Sequence, residues 1–213
     1  SFLADDNESD SCVLGLGTVV RRSEYQKTED LYRALGSPQV ITVEKEHVDI
    51  ELLKQLQHYC PVHPDPEIIR ICQHRGREKE FLHSVGVPTA PFERVRNIGE
   101  LPQAIERLGL PVIIKSCEQG YDGLNQWRLK DQQAYDEFIE NNARLPESVV
   151  ESFISFKREI SILLVRSATG EITSYCPTEN RHRNGVLLTS IAPADSLSPL
   201  LIEQITRITE KIL

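Results

Sequence analysis

Short apolar runs and helical periods alternate along the first third of the chain. Gln39-Val40-Ile41-Thr42-Val43 is rich in β-formers, Asp49 stands where a cap would precede the helical spacing of Leu52, Leu53 and Leu56, and Tyr59 to Val62 reads as another short strand. That rhythm predicts a parallel sheet covered by helices. Asp65 and Pro66 then supply a cap and a first-position proline ahead of Ile68 to Ile71, and the charged run Arg77 to Leu82 predicts a helix ending near Gly86. From Val87 the pattern changes. Phe92 to Val95 predicts a strand, Leu101 to Leu108 a helix closed by Gly109, and Val112-Ile113-Ile114-Lys115 a buried strand ending in a charge. After a glycine-bearing loop, a strand at Trp127 to Leu129 precedes a helix capped by Asp131. Long antiparallel strands are expected at Ser148 to Phe153, Arg158 to Arg166, Ile172 to Tyr175 and Gly185 to Ala192, with a turn at Thr169-Gly170. Ser198 and Pro199 open a last amphipathic helix through Leu200, Leu201, Ile202, Ile205, Ile208 and Ile212. The expected class is α/β, passing to α+β in the second part.

Composition narrows the function. With 24 Lys and Arg against 32 Asp and Glu, the 213-residue chain carries a formal charge of −8, which argues against nucleic acid or an anionic membrane as the main partner. No apolar run approaches the roughly 18 residues of a spanning helix and no signal peptide opens the chain, so a soluble, cytoplasmic protein is expected. Cys12, Cys60, Cys72, Cys117 and Cys176 have neither the count nor the spacing of a disulfide framework or a zinc site. The chain has no methionine, its first residues look like the end of a strand, and its last helix has no stop signal. Both ends are therefore expected to be cut from a longer protein.

Three places could carry chemistry. Lys115 closes an apolar strand five residues before Gly120-Tyr121-Asp122-Gly123. An isolated lysine there commonly carries its ammonium into water, but beside a loop of backbone N–H groups it suits a polyphosphate. Glu151 and Glu159 flank a hairpin-like Ser155-Phe156-Lys157. By the two-residue period Glu159 points away from Ile160 and Ile162, as a solvated carboxylate or as one that accepts ribose hydroxyls or holds a metal. Glu179-Asn180-Arg181-His182-Arg183-Asn184-Gly185 is expected as a connection between strands. It is either a charged turn or a site for phosphate or carboxylate, and His182 has no second histidine or cysteine at zinc spacing.

The order of these pieces resembles the ATP-grasp superfamily, and within it the carboxyaminoimidazole ribonucleotide synthases. The resemblance rests on Arg77 to Leu82, Val87-Pro88-Thr89-Ala90-Pro91-Phe92, the Gly120 to Gly123 loop, Val150 to Ile154 with Arg158 to Ser161, and Glu179 to His182 leading to Ser190 to Ala194. It implies a partial Rossmann-like pre-ATP-grasp domain at 1–68 and an ATP-grasp domain at 69–213, incomplete at its C-terminal end. It further implies that Arg75 and Lys115 contact ATP phosphates and that Gly120, Tyr121, Asp122, Gly123, Leu124, Asn125 and Gln126 close over them. Glu151, Ser152, Phe153 and Ile154 would read the adenine edge, Glu159 the ribose, and His182 a further part of the nucleotide. Tyr121, Asp122 and Arg181 would meet the ribonucleotide substrate. The implied reaction is the ATP-dependent carboxylation of aminoimidazole ribonucleotide with bicarbonate in purine biosynthesis, in an enzyme commonly dimeric. Leu124 and Asn125 stand where the family usually has a basic residue and a glycine, and the Mg²⁺ ligands are expected beyond residue 213. These departures also fit a nucleotide-binding or interaction module of ATP-grasp ancestry that has lost catalysis.

Overall fold

The computed structural model describes residues 1–4, 15–45, 47–118, 125–167, 169–183 and 185–213. The chain divides into two units, Ser1–Gln73 and His74–Leu213. In the first, β1 (Phe2–Ala4) and β2 (Val19–Arg21) pair in parallel, α1 (Thr28–Ala34) follows, and β3 (Ile41–Thr42), α2 (Ile50–Leu56), β4 (Val62–His63) and α3 (Pro66–Cys72) complete it. The strands β3 and β4 are also parallel. Both cap predictions hold, because the Asp49 side chain accepts the Leu52 N–H and that of Asp65 accepts the Glu67 N–H. Each acceptor satisfies one of the donors that a helix start leaves without a partner. The periodic leucines of α2 pack with Leu31, Val62 and Ile69 in this unit's core. Ile69 thus belongs with the first unit, and the division falls after α3 rather than within it.

The second unit is built on a four-stranded sheet in the order β5 (Phe92–Val95), β8 (Ser148–Ser152), β6 (Val112–Ser116), β7 (Gln126–Leu129), with every neighbour antiparallel. Alternate residues point to opposite faces. Val95, Val112, Ile114, Leu129 and Val150 face one side and bury Leu101 and Ala104 of α5 (Leu101–Leu108) and Phe138 of α6 (Gln132–Asn141). Gly109 closes α5 at φ +70, a conformation that side chains resist. The opposite face carries α4 (Arg75–Ser84).

Three expectations change beyond this sheet. Residues 158–166 form two strands instead of one, β9 (Glu159–Ser161) and β10 (Leu164–Arg166), because each finds a different partner. Strand β10 pairs with β11 (Ile172–Ser174), while β9 pairs with β12 (Thr178–Arg183), which in turn pairs with β13 (Val186–Ile191). Ser155 to Lys157 join no hairpin, since β8 already has β5 on one side and β6 on the other and offers no free edge. Residues 179–183 are a strand instead of a connection. Pairing with β13 along 179–183, and with β9 as well at Glu179 and Asn180, supplies backbone partners whatever the polarity of the side chains. The last helix is α7 (Pro199–Ile212), capped by Ser198 through the Leu201 N–H. No helix among the described residues is long and apolar enough to cross a membrane.

Candidate functional site

The alternation that buries Val112 and Ile114 turns Ile113 and Lys115 toward α4. Glu151 opposes Ile113 across β6 and β8 and shares that face, so Lys115 lies on its diagonal. The Lys115 ammonium is 2.9 Å from Glu151 Oε2, and Lys79, reaching down from α4, is 3.1 Å from Oε1. The carboxylate is 10% exposed. Burial pushes its pKa upward, but Lys115 and then Lys79 outweigh burial and hold it below the usual carboxylate value. Two cations around one anion leave a net positive charge, set by geometry to receive an anionic group. Lys115 and Glu151 were legible in the sequence and Lys79 was not. It sits in the run Arg77-Glu78-Lys79-Glu80, where a solvated helix face is the ordinary expectation.

Arg75 and the ends of the glycine loop lie close by along the chain. The Arg75 N–H donates to the Cys117 carbonyl at 3.0 Å, tying the start of α4 to the residues just after β6. Ser116 N–H donates to Asn125 O, and Gln126 opposes Lys115 in the β6–β7 register, so this hairpin brings both ends of the 119–124 connection beside the lysine. Gly120, Tyr121, Asp122, Gly123 and Leu124 themselves lie outside the described residues. In the segment expected to read adenine, Ser152 N–H donates to Pro91 O and Phe153 N–H to Pro111 O, so those two donors serve the sheet. The Arg128 guanidinium lies 4.0 Å from the centre of the Phe153 ring, and Ile154 is exposed.

Glu159 and His182 form a second group. Glu159 opposes Asn180 on β12, and His182, two residues on along the same face, places Nδ1 3.3 Å from Glu159 Oε2. Asn180 donates to Ser161 Oγ and accepts from Ser190 Oγ. Arg181 lies on the other face, with Glu179 at 3.7 Å, and Arg158 holds that glutamate at 2.6 Å. The polar cluster that looks continuous in sequence is therefore split by the strand period, with Arg181 and His182 on opposite faces.

Near the start of α4, His74, Cys117 and Glu147 bring one ligand atom each to within 4.8 Å of one another, the set among the described residues that could hold a metal ion. Each atom already has a partner. His74 Nδ1 accepts the Arg77 N–H, which leaves the ring proton on Nε2, 3.6 Å from Glu147. Glu147 accepts from Arg94, which also holds Glu80. Burial pushes the Cys117 thiol up to about 11, with Gly76 N–H drawing it down less than that. Magnesium needs a cluster of hard oxygen donors, and a thiol, an imidazole and one arginine-bound carboxylate do not fit it.

An ATP-grasp domain model matches residues 80–213. The N5-carboxyaminoimidazole ribonucleotide synthase of Bacillus subtilis (strain 168) is 35% identical over 175 residues, covering 81% of this chain and 45% of the relative. The structure of N5-carboxyaminoimidazole ribonucleotide synthetase from Thermus thermophilus superposes with a TM-score of 0.82 at 30% identity, over 100% of this chain and 57% of that one. The Staphylococcus aureus N5-carboxyaminoimidazole synthetase complexed with ADP gives 0.83 at 29% identity, over 99% and 55%. The chain spans about half the length of these proteins.

Proposed function

This chain belongs to the ATP-grasp family, and from that premise we propose that it is the nucleotide-holding part of an N5-carboxyaminoimidazole ribonucleotide synthase. The reaction uses ATP and bicarbonate to carboxylate the exocyclic amine of aminoimidazole ribonucleotide, by way of carboxyphosphate. The observation that carries the reading is the net positive Lys79–Glu151–Lys115 group at the end of the strand that leads into the glycine loop, on the face covered by the helix that begins with Arg75. Phosphate groups placed there meet the Lys115 ammonium and the Arg75 guanidinium. These cations offset the charge that builds on a phosphoryl group as an oxygen attacks it. The segment Glu151 to Ile154 borders the adenine and Glu159 with His182 the ribose, while Tyr121, Asp122 and Arg181 meet the ribonucleotide substrate. An ADP-bound synthetase is among the structures that match over nearly all of this chain. The His74 group does not supply the oxygen ligands that Mg²⁺ takes. A cytoplasmic homodimer is part of the same proposal.

Two measurements test it. Isothermal calorimetry should show ADP binding to the 213-residue chain. In the protein that contains this chain, ADP formation should require aminoimidazole ribonucleotide and bicarbonate together. ADP binding without such turnover would leave a nucleotide-binding module that has lost catalysis, and no ADP binding would remove the reading.

A further inference from the structure

A phosphate bound by Lys115 competes with Glu151 for one positive charge. The Lys115 ammonium is already 2.9 Å from Oε2 of a carboxylate that is 10% exposed. When a phosphate draws it away, a buried anion is stripped of one of its two cations, and an unpaired buried carboxylate takes up a proton sooner than remain charged. Lys79 holds the other oxygen, Oε1, so its ion pair does not depend on where Lys115 goes.

Lys79 is also built to stay. Its ammonium lies 5.8 Å from the centre of the Phe92 ring, on the strand beside Glu151. Its helix is pinned at the first turn by Arg75 N–H on Cys117 O and by the His74 cap. One turn beyond, Arg94 bridges Glu80 to Glu147. The groups facing Glu151 can be named from each neighbouring element. Helix α4 presents Lys79, with Arg75 one turn earlier and Glu80 turned to Arg94. Strand β6 presents Lys115, β5 presents Phe92 and Arg94, and β7 presents Arg128 over Phe153. Arg107 and Glu93 pair with each other on the opposite face of the sheet.

We propose that Lys79 is a positioning residue that keeps Glu151 charged and in place when nucleotide phosphate takes Lys115, so that binding proceeds without proton uptake. This rests on the nucleotide reading above. The charges are one anion and two cations before binding, and one neutral Lys79–Glu151 pair plus a lysine on phosphate after it. Without Lys79 the starting pair is neutral, and releasing Lys115 leaves Glu151 with no cation, so a proton from solvent must replace it.

The test is calorimetry of ADP binding to wild type, Lys79→Met and Lys79→Arg, in buffers of different ionisation enthalpy, between about pH 6 and 8.5, on the alkaline side of the carboxylate range. Wild type should bind with little proton exchange attributable to this group. Lys79→Met should bind about 10- to 100-fold more weakly at the alkaline end, the cost of one charge-assisted hydrogen bond. It should also take up close to one additional proton, so that its affinity recovers as pH falls. Lys79→Arg should restore the wild-type proton count. Should Lys79→Met fail to give a wild-type circular dichroism spectrum, Lys79→Gln is to be measured in its place. Unchanged affinity and proton count in the variant would overturn the role of Lys79 alone. A loss of affinity that is flat in pH and brings no proton would overturn it too, since packing or direct contact would then explain the loss. Absence of ADP binding to wild type would remove the nucleotide reading and this proposal with it.

Discussion

Glu151 gathers most of the electrostatic work in the candidate site. Its lowered pKa means that it contributes stability that is fully present above the ordinary carboxylate value of 4.5 and is lost as pH falls through its lower folded value. Glu151→Gln leaves two lysine ammoniums facing each other across a neutral amide. The variant should therefore melt below wild type at pH 7, and the gap should close as pH is lowered past about 4. Thermal melts at a series of pH values would show this, and a gap that stays constant into acid would refute it. Lys115 makes a separable prediction. Lys115→Ala should weaken ADP binding by about 1.5 to 3 kcal/mol, the range for hydrogen bonds to charged groups, as measured by calorimetry. Unchanged affinity would return Lys115 to the role of an ion-pair partner for Glu151.

Among the elements, the helices behave as their caps predict and the polar strands do not. Asp131 accepts the Ala134 N–H at the start of α6, which carries Phe138 into the core. Removing that acceptor should cost about 1 kcal/mol, so Asp131→Ala should lower the urea midpoint by that energy divided by the slope, with the slope itself unchanged. A full kilocalorie lost in Asp131→Asn as well would argue for charge over hydrogen bonding, since asparagine caps nearly as well. Strand β12 teaches the opposite lesson. Glu179, Asn180, Arg181 and His182 have no apolar alternation to announce a strand, and pairing with β9 and β13 makes them one. The same pairing brings His182 to Glu159 and turns Arg181 to Glu179.

At the scale of the whole molecule, a chain of net charge −8 sets Lys79 and Lys115 around one buried carboxylate, so attraction for an anion there is local and not a property of the surface at large. The two units each bury a cysteine, Cys60 in the first and Cys117 in the second, while Cys72 and Cys176 are exposed. Burial raises both buried thiols above the ordinary value, and a thiolate is the species that reacts. Alkylation of the native protein at about pH 8, near the ordinary thiol value, followed by peptide mapping should therefore, among the described cysteines, label Cys72 and Cys176 before Cys60 and Cys117. Cys60 and Cys117 should be labelled at comparable rates only in denaturant. Early labelling of Cys117 would show that the start of α4 opens from the sheet in the native state.

The local signals in the chain determined the helix starts at Asp49, Asp65, Asp131 and Ser198, the strand at Phe92 to Val95 and the buried strand that ends in Lys115. Capping and two-residue alternation act between near neighbours and leave their mark in adjacent letters. The order of motifs was likewise enough to identify the ATP-grasp family, because it is written along the chain. Tertiary structure alone decided that β8 is central and so cannot turn back on β9, that 158–166 divides between two sheets, and that Lys79 meets Glu151. Those outcomes depend on which strand occupies which edge and on which helix lies across which face. Residues 36 positions apart become an ion pair only when pairing sets the register between β6 and β8. A lysine in a charged helical run becomes a buried partner only when that helix is laid over the sheet.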